Sequence, residues 1–458
     1  MNAKCGAPRG LLRICLALVA TSMVAAAYAE SPPQRVIVKY RAAPTARDAT
    51  TSASRAMADT GGRFGVSMRA VRQMTSGAQV VAVDRQLSRT DLAKLVADLA
   101  ANPDVEYAEE DKLLQATFTP NDTNYNLQWH YYEATGGLNL PSAWDTSTGT
   151  GVTVAVIDTG YRPHVDLAAN IVGGYDFISD TFVSRDGNLR DSDAQDPGDW
   201  TLANDCQAGW TPTDSSWHGT HVAGTIAART NNASGVAGVA FNARVLPVRV
   251  LGRCGGFTSD IADGLIWASG GTVSGVPANP NPAKVANLSL GGTGSCGTTM
   301  RNAINSARSR GMVVVVAAGN ANRNASNTTP ANCSGVVTVA AVNRSGGRAF
   351  YSNFGAVVDV AAPGGAMNVN AGDGVLSTLN LGTTTPAGDA YAYYQGTSMA
   401  TPHVAGVAAL MLAVNGALTP TQVETRLKSS TRAFPATCSQ CGTGIVNATA
   451  AVAAAAAP

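Results

Sequence analysis

Apolar and polar positions fall into three regimes along the 458-residue chain. In the first, Lys4, Arg9 and Arg13 precede an apolar stretch through Leu16, Leu18, Val19 and Met23 to Val24, and Ala27-Tyr28-Ala29 follows with small residues at alternate positions. A basic start, a short apolar middle and a small-x-small end form an export signal, with cleavage expected after Ala29. The stretch is shorter than the roughly 20 residues a bilayer requires, so no membrane anchor is expected. Residues 30–118 form the second regime. Arg35 to Tyr40 alternates like a strand and Val80 to Val83 reads as another. Between Ser88 and Ala101, Leu92, Leu95, Val96 and Leu99 share one helical face, with Ser88 and Asp91 as a capping start and Pro103 as a stop. Val105 to Asp111 closes the region as an acidic strand, giving a small α+β module.

From about residue 140 the pattern changes again. Val152–Ile157, Arg244–Val250, Val285–Leu290, Met312–Ala317 and Val336–Ala340 read as strands. Ser259–Ala268, Thr299–Arg308, Met399–Val414 and Thr421–Lys428 read as helices. Strands apolar on both faces, with helices between them, predict an α/β fold: a doubly wound, mostly parallel sheet covered on both sides. In such sheets chemistry collects at the carboxyl ends of the strands. The alanine-rich segment Ala450–Pro458 is expected to be a frayed tail.

Composition narrows the function. Lys and Arg number 32 against 31 Asp and Glu, and no polybasic stretch stands out, so nucleic-acid and anionic-lipid binding are not expected. Only 14% of residues are charged and 48 are Gly, a balance that suits a loop-rich extracellular protein. Export turns cysteines into cross-links. Cys5 and Cys15 leave with the signal, and Cys206, Cys254, Cys296, Cys333, Cys438 and Cys441 remain. Pairing of sequence neighbours (206 with 254, 296 with 333, 438 with 441) is the simplest of the possible connectivities. Cys438-Ser-Gln-Cys441 also has the spacing of a zinc or redox pair, but no second close Cys or His pair accompanies it.

Three short motifs and a fourth residue carry chemistry. Val154-Ala155-Val156-Ile157-Asp158-Thr159-Gly160 is a buried strand ending on a carboxylate. His218-Gly219-Thr220-His221-Val222-Ala223-Gly224 sets an imidazole beside small residues that allow close helix packing; two His three apart could also bind metal, but no third ligand is evident. Gly396-Thr397-Ser398-Met399-Ala400-Thr401-Pro402-His403 places Ser398 at a helix start, where free amides favour developing negative charge, while Thr397 and Ser398 could also simply cap that helix. Val313 to Ala318 runs into Gly319-Asn320, a strand end offering an amide donor.

Asp158, His218, Asn320 and Ser398 in that order resemble the subtilisin-like serine proteases, or subtilases, over roughly residues 120–450. The resemblance implies Ser398 as nucleophile, His218 as general base and acid, Asp158 as the group that orients it, and Asn320 as an oxyanion donor, with His221 left to packing. It implies that Ser289-Leu290-Gly291-Gly292 and Gly255-Gly256 hold an extended peptide between them, with broad specificity and room for large apolar side chains. Ala321 stands where several subtilases carry an acidic or polar group, which argues against a preference for basic residues.

TPNDTNYNLQWH and ARTNNASGVAG resemble the thermitase branch, in which Asp122, Asp166, Asn232 and carbonyls of Arg229, Ser234 and Val236 would surround a structural calcium. Asp191, Asp193 and Asp196, in a carboxylate-dense loop, are a second calcium candidate, with an acidic surface loop as the alternative. Residues 30–118 resemble the family's inhibitory propeptide, ferredoxin-like in fold and removed between about Leu114 and Thr119. The expected partners are protein or peptide substrates and the chain's own propeptide, with the enzyme a secreted monomer. Two rivals are a non-catalytic binding module on the same fold, which the intact four residues argue against, and a hydrolase or acyltransferase of small esters, which the glycine-edged strands argue against.

Overall fold

The computed structural model describes residues 32–41, 46–113 and 118–457, and the chain divides into two units, Met1–Ala116 and Thr117–Pro458. The export signal, its cleavage after Ala29 and most of the processing interval, at residues 114–117, lie outside the described residues.

The first unit runs β1 (Arg35–Tyr40), α1 (Ala46–Phe64), β2 (Met68–Gln73), β3 (Gln79–Val83), α2 (Arg89–Ala100), β4 (Val105–Glu110). The four strands form an antiparallel sheet in the order β2-β3-β1-β4, which is the ferredoxin-like arrangement. Val36, Val38, Val81 and Val83 meet Leu92, Leu95 and Leu99 of α2 in its core. Ser88 caps α2, its Oγ accepting from Asp91 N at 3.1 Å. Helix α1 and strand β2 had no clear apolar period: β2, Met-Arg-Ala-Val-Arg-Gln, is an edge strand with almost every side chain exposed.

In the second unit β5 (Thr153–Asp158), β6 (Tyr175–Asp176), α3 (His218–Ala227), β7 (Arg244–Arg249), α4 (Thr258–Ala268), β8 (Val285–Leu288), β9 (Gly292–Thr293), α5 (Thr298–Ser309), β10 (Val313–Ala317), β11 (Thr328–Thr329), β12 (Val337–Val342) and β13 (Val360–Pro363) follow in turn. Seven strands build one parallel sheet in the order β13-β12-β10-β8-β5-β7-β6. Alternation across a strand sends Val154 and Val156 into one core and Ala155 and Ile157 into the other. Both faces are covered, which is why these strands are apolar runs with only scattered buried polar residues such as Asn287 and Thr338. From β5 the chain goes to β6 at one edge, returns to β7 between them, and then crosses to β8, β10, β12 and β13 on the other side. The β5/β8 border is therefore the switch point, where a crevice opens beyond the strand ends.

The remaining elements are β14 (Val375–Asn380) and β15 (Asp389–Tyr394), an antiparallel hairpin, then α6 (Thr397–Val414), α7 (Pro420–Ser429) and α8 (Ala448–Ala456). Helix α6 is nearly all buried and packs beneath the sheet against α3 and α8. Helix α8 corrects the expected frayed tail. Asn447 Oδ1 accepts from Ala450 N at 3.2 Å, Ala448, Ala451, Val452 and Ala455 are buried, and Arg426 Nη1 donates to the carbonyls of Ala454 and Ala455. Alanine has the highest helix propensity, and a low-complexity composition concealed a well-capped helix. The three disulfides are Cys206–Cys254, Cys296–Cys333 and Cys438–Cys441.

Candidate active site

The switch-point crevice is a cleft of about 800 Å³ bordered by His218, Ser398, Asn320, Ser289 to Gly292, Gly255 and Gly256. Asp158 ends β5 fully buried behind it. Its Oδ1 accepts from Thr159 N at 2.8 Å and lies 2.7 Å from His218 Nδ1, while Oδ2 has no partner among the described residues. The carboxylate fixes the tautomer: Nδ1 carries the proton toward Asp158, which leaves Nε2 as the imidazole's basic face.

His218 opens α3, and Gly219 decides how close that helix comes to β5. A Cβ at Gly219 would sit 2.1 Å from the Gly160 carbonyl oxygen, a separation no larger residue can occupy. Gly219 N instead donates to Thr159 Oγ1 at 3.0 Å, tying the helix start to the turn that carries Asp158. Burial acting alone would depress the imidazole. The Asp158 carboxylate, helped by Asp199 and Asp196, outweighs it and raises His218 above the ordinary histidine value of 6.5.

Ser398 occupies the first turn of α6. Its Oγ donates to the Ser289 carbonyl at 3.2 Å, and Ser289 Oγ donates back to the Ser398 carbonyl at 2.7 Å. This reciprocal pair locks the end of β8 to the start of α6. Asn320 is held just as firmly: its Oδ1 accepts from both Thr397 N and Thr397 Oγ1, each at 2.8 Å. With the oxygen occupied twice, Nδ2 is the half of the amide left to donate.

The other histidines are structural. His221 stacks on Tyr394 with ring centres 4.6 Å apart, its Nε2 faces the Ala392 carbonyl at 3.0 Å, and burial pushes it down to about 3. His403, within α6, faces the Met399 carbonyl through Nδ1 at 2.7 Å, so its Nε2 accepts from His130 Nδ1 at 2.8 Å. Burial lowers His403 to about 4, and the pair stays neutral under the Ser398 helix.

Among the metal candidates, Asp122 and Asp166 are both buried, and neither joins an ion pair among the described residues. Burial raises both carboxyls, and Asp122 raises Asp166 further. Asn232 Nδ2 donates to Asp166 Oδ1 at 2.7 Å, Val236 N donates to Asp166 Oδ2 at 2.9 Å, and Arg229 N donates to the Asp166 carbonyl at 2.7 Å. The Ser234 amide is turned inward, bonded to Asn232 Oδ1 at 2.9 Å. Two buried carboxylates without a cation are what suits a hard divalent ion here, while the groups that face them, Asn231 N, Asn232 Nδ2 and Val236 N, are N–H donors. The loop with Asp191, Asp193 and Asp196 is built differently. Each spends an oxygen on an amide two residues ahead (Asp193, Gln195 and Gly198), and among the described residues no three His, Cys, Asp or Glu side chains converge on a metal-sized point. Such turns shape the loop from within, while Asp196 is buried with its Oδ2 unpartnered among the described residues.

Several contributors to the cleft carried no readable signal. Thr397 passed for a helix cap, yet it orients Asn320. Thr201, Trp210 and Thr213, from the segment tied down by Cys206–Cys254, line one side. Thr328 and Arg323 line another.

A family model described as the subtilase family matches residues 149–444. Over 431 residues the chain is similar to an extracellular protease of Xanthomonas campestris, 56% identical and covering 92% of this chain and 73% of that protein. It is also similar to an extracellular basic protease of Dichelobacter nodosus, 44% identical with 91% and 70% covered. Among solved structures, one of proteases from Pseudoalteromonas arctica matches with a TM-score of 0.73 and 66% identity, covering 74% of this chain and 100% of that one.

Proposed function

The chain belongs to the subtilase family of serine endopeptidases, and on that premise we propose that Asp158, His218 and Ser398 act as its catalytic triad on extended polypeptide. It is an extracellular serine protease, as its relatives are. The observation that carries the triad is the 2.7 Å contact between Asp158 and His218 in a cleft that Ser398 and Asn320 also border.

A serine hydroxyl is a weak nucleophile until a base takes its proton. On substrate binding, Ser398 Oγ exchanges the Ser289 carbonyl for His218 Nε2 and attacks the scissile carbonyl carbon as its proton passes to that nitrogen. Asp158 stabilises the resulting imidazolium. The carbonyl oxygen, now an anion, receives hydrogen bonds from Asn320 Nδ2 and the Ser398 amide. Collapse breaks the C–N bond, His218 returns the proton to the leaving amine, and water repeats the sequence to release the acyl group. The Ser289–Gly292 and Gly255–Gly256 edges pair with substrate backbone, which reads main chain more than side chain.

The first unit is proposed as a propeptide that inhibits and is then removed by the enzyme itself. Calcium is proposed at Asp122, Asp166 and Asn232 with the carbonyls of Arg229, Ser234 and Val236. There it neutralises two buried carboxylates and takes no part in hydrolysis.

The test is to express residues 30–458 into an oxidising compartment as wild type and Ser398→Ala, following mass, casein digestion and turnover of a small ester. Wild type is expected to shed its first unit and digest casein while Ser398→Ala stays full length and inert. Fast ester turnover with casein intact would favour the small-ester reading. Casein digestion by the alanine variant would remove Ser398 from the mechanism.

A further inference from the structure

The cleft is bordered by one carboxylate, Asp199, and one guanidinium, Arg323. Asp199 is engaged: its two oxygens accept from Ser216 N and Oγ at 2.6 and 2.7 Å, on the His218 side. Arg323 is not neutralised. Its Nη2 donates to Thr293 Oγ1 at 2.6 Å, its Nε is buried without a partner, and no ion pair among the described residues includes it.

Its anchor places it at the pocket beside the glycine edge. Thr293 of β9 lies directly opposite Thr328 of β11. Thr328 Cγ2 sits 3.3 Å from where a Cβ on Gly319 would lie and 3.5 Å from one on Gly291, so the Thr328 methyl lies between the two glycine walls. Thr328 Oγ1 is occupied by Asn353 Nδ2 at 3.1 Å. The pocket therefore has glycine walls, a methyl surface between them and, at its border, a guanidinium with donors to spare.

We propose that Arg323 is a specificity-determining residue that pairs with the carboxylate of a substrate side chain entering this pocket, the residue on the acyl side of the scissile bond. This rests on the endopeptidase reading above and amends the expectation of broad specificity with room for large apolar side chains. A guanidinium offers a planar fork of N–H donors, only one of which Thr293 uses, and a carboxylate matches that fork. A lysine-bearing substrate meets the same charge as repulsion.

The experiment compares wild type, Arg323→Ala, Arg323→Lys and Arg323→Glu on otherwise identical fluorogenic peptides carrying Glu, Gln, Leu or Lys before the scissile bond, with kcat/KM as readout and circular dichroism as the fold check. Wild type should favour Glu over Gln by about tenfold or more, the scale of a hydrogen bond to a charged group. Arg323→Ala should erase that ratio, Arg323→Lys should keep part of it, and Arg323→Glu should turn the preference toward Lys. If wild type digests casein but its Glu-to-Gln ratio is the same in all four proteins, Arg323 does not set specificity and the endopeptidase reading stands. If wild type leaves casein and every peptide intact, both fall together.

Discussion

His218 is where opposing single-residue effects can be weighed. Burial disfavours the imidazolium and Asp158 favours it, and the net result is a raised value. A base must be neutral to accept a proton, so kcat/KM should climb with pH through an inflection above the ordinary histidine value of 6.5. Asp158→Asn removes the favourable charge and leaves burial in place, so the inflection in its residual activity should move to lower pH while turnover falls by about 10⁴-fold. A profile unchanged by that substitution would mean that Asp158 does not govern the base. The four residues proposed for the chemistry could be singled out because each sits in a short motif, and all four come to one cleft or directly behind it. Their supports were not: Ser289 meets Ser398, and Thr397 meets Asn320, across the fold and not along the chain. The Asp191 to Asp196 loop shows a different gap, since a dense acidic sequence does not tell that each Asp gives one oxygen to its own loop while Asp196 Oδ2 stays buried without a partner among the described residues.

Elements were legible in proportion to how completely their apolar pattern is satisfied. The strands of the parallel sheet are buried on both faces, and their runs are hard to mistake. Strand β2 exposes almost every side chain, and helix α1 meets the small first-unit core through few described residues, so little patterning was left to read. Helix α8 was hidden for a different reason, because alanine serves tail and buried helix equally well. Gly219 shows an element boundary doing catalytic work by its missing side chain. Gly219→Ala must push α3 off the Gly160 carbonyl, and with it His218 off Asp158. Turnover should fall by about 10²-fold, the usual cost of an ångström of misplacement, while far-UV circular dichroism stays near wild type. Undiminished kcat would show that the helix start can relax without disturbing the site.

At the scale of the whole molecule, a low-charge, glycine-rich chain has one small core in its first unit, and its second unit is held by two large packed cores, three disulfides and, as proposed, calcium. Calcium should raise the thermal unfolding midpoint and chelation should lower it, with Asp166→Asn abolishing the difference. Burial raises the Asp122 and Asp166 carboxyls, so protons compete with the ion from a higher pH than for exposed acids, and the calcium increment should shrink on acidification. A midpoint indifferent to calcium at every pH would remove the ion from the account. The central claim is that Ser398 Oγ becomes covalently acylated with His218 as its base. Its most direct measurement is to treat the mature protein with a sulfonyl fluoride, weigh the intact product and map the adduct by peptide mass spectrometry. One adduct, at Ser398 and absent from His218→Ala, is the predicted result; a casein-digesting protein labelled elsewhere, or not at all, would contradict it.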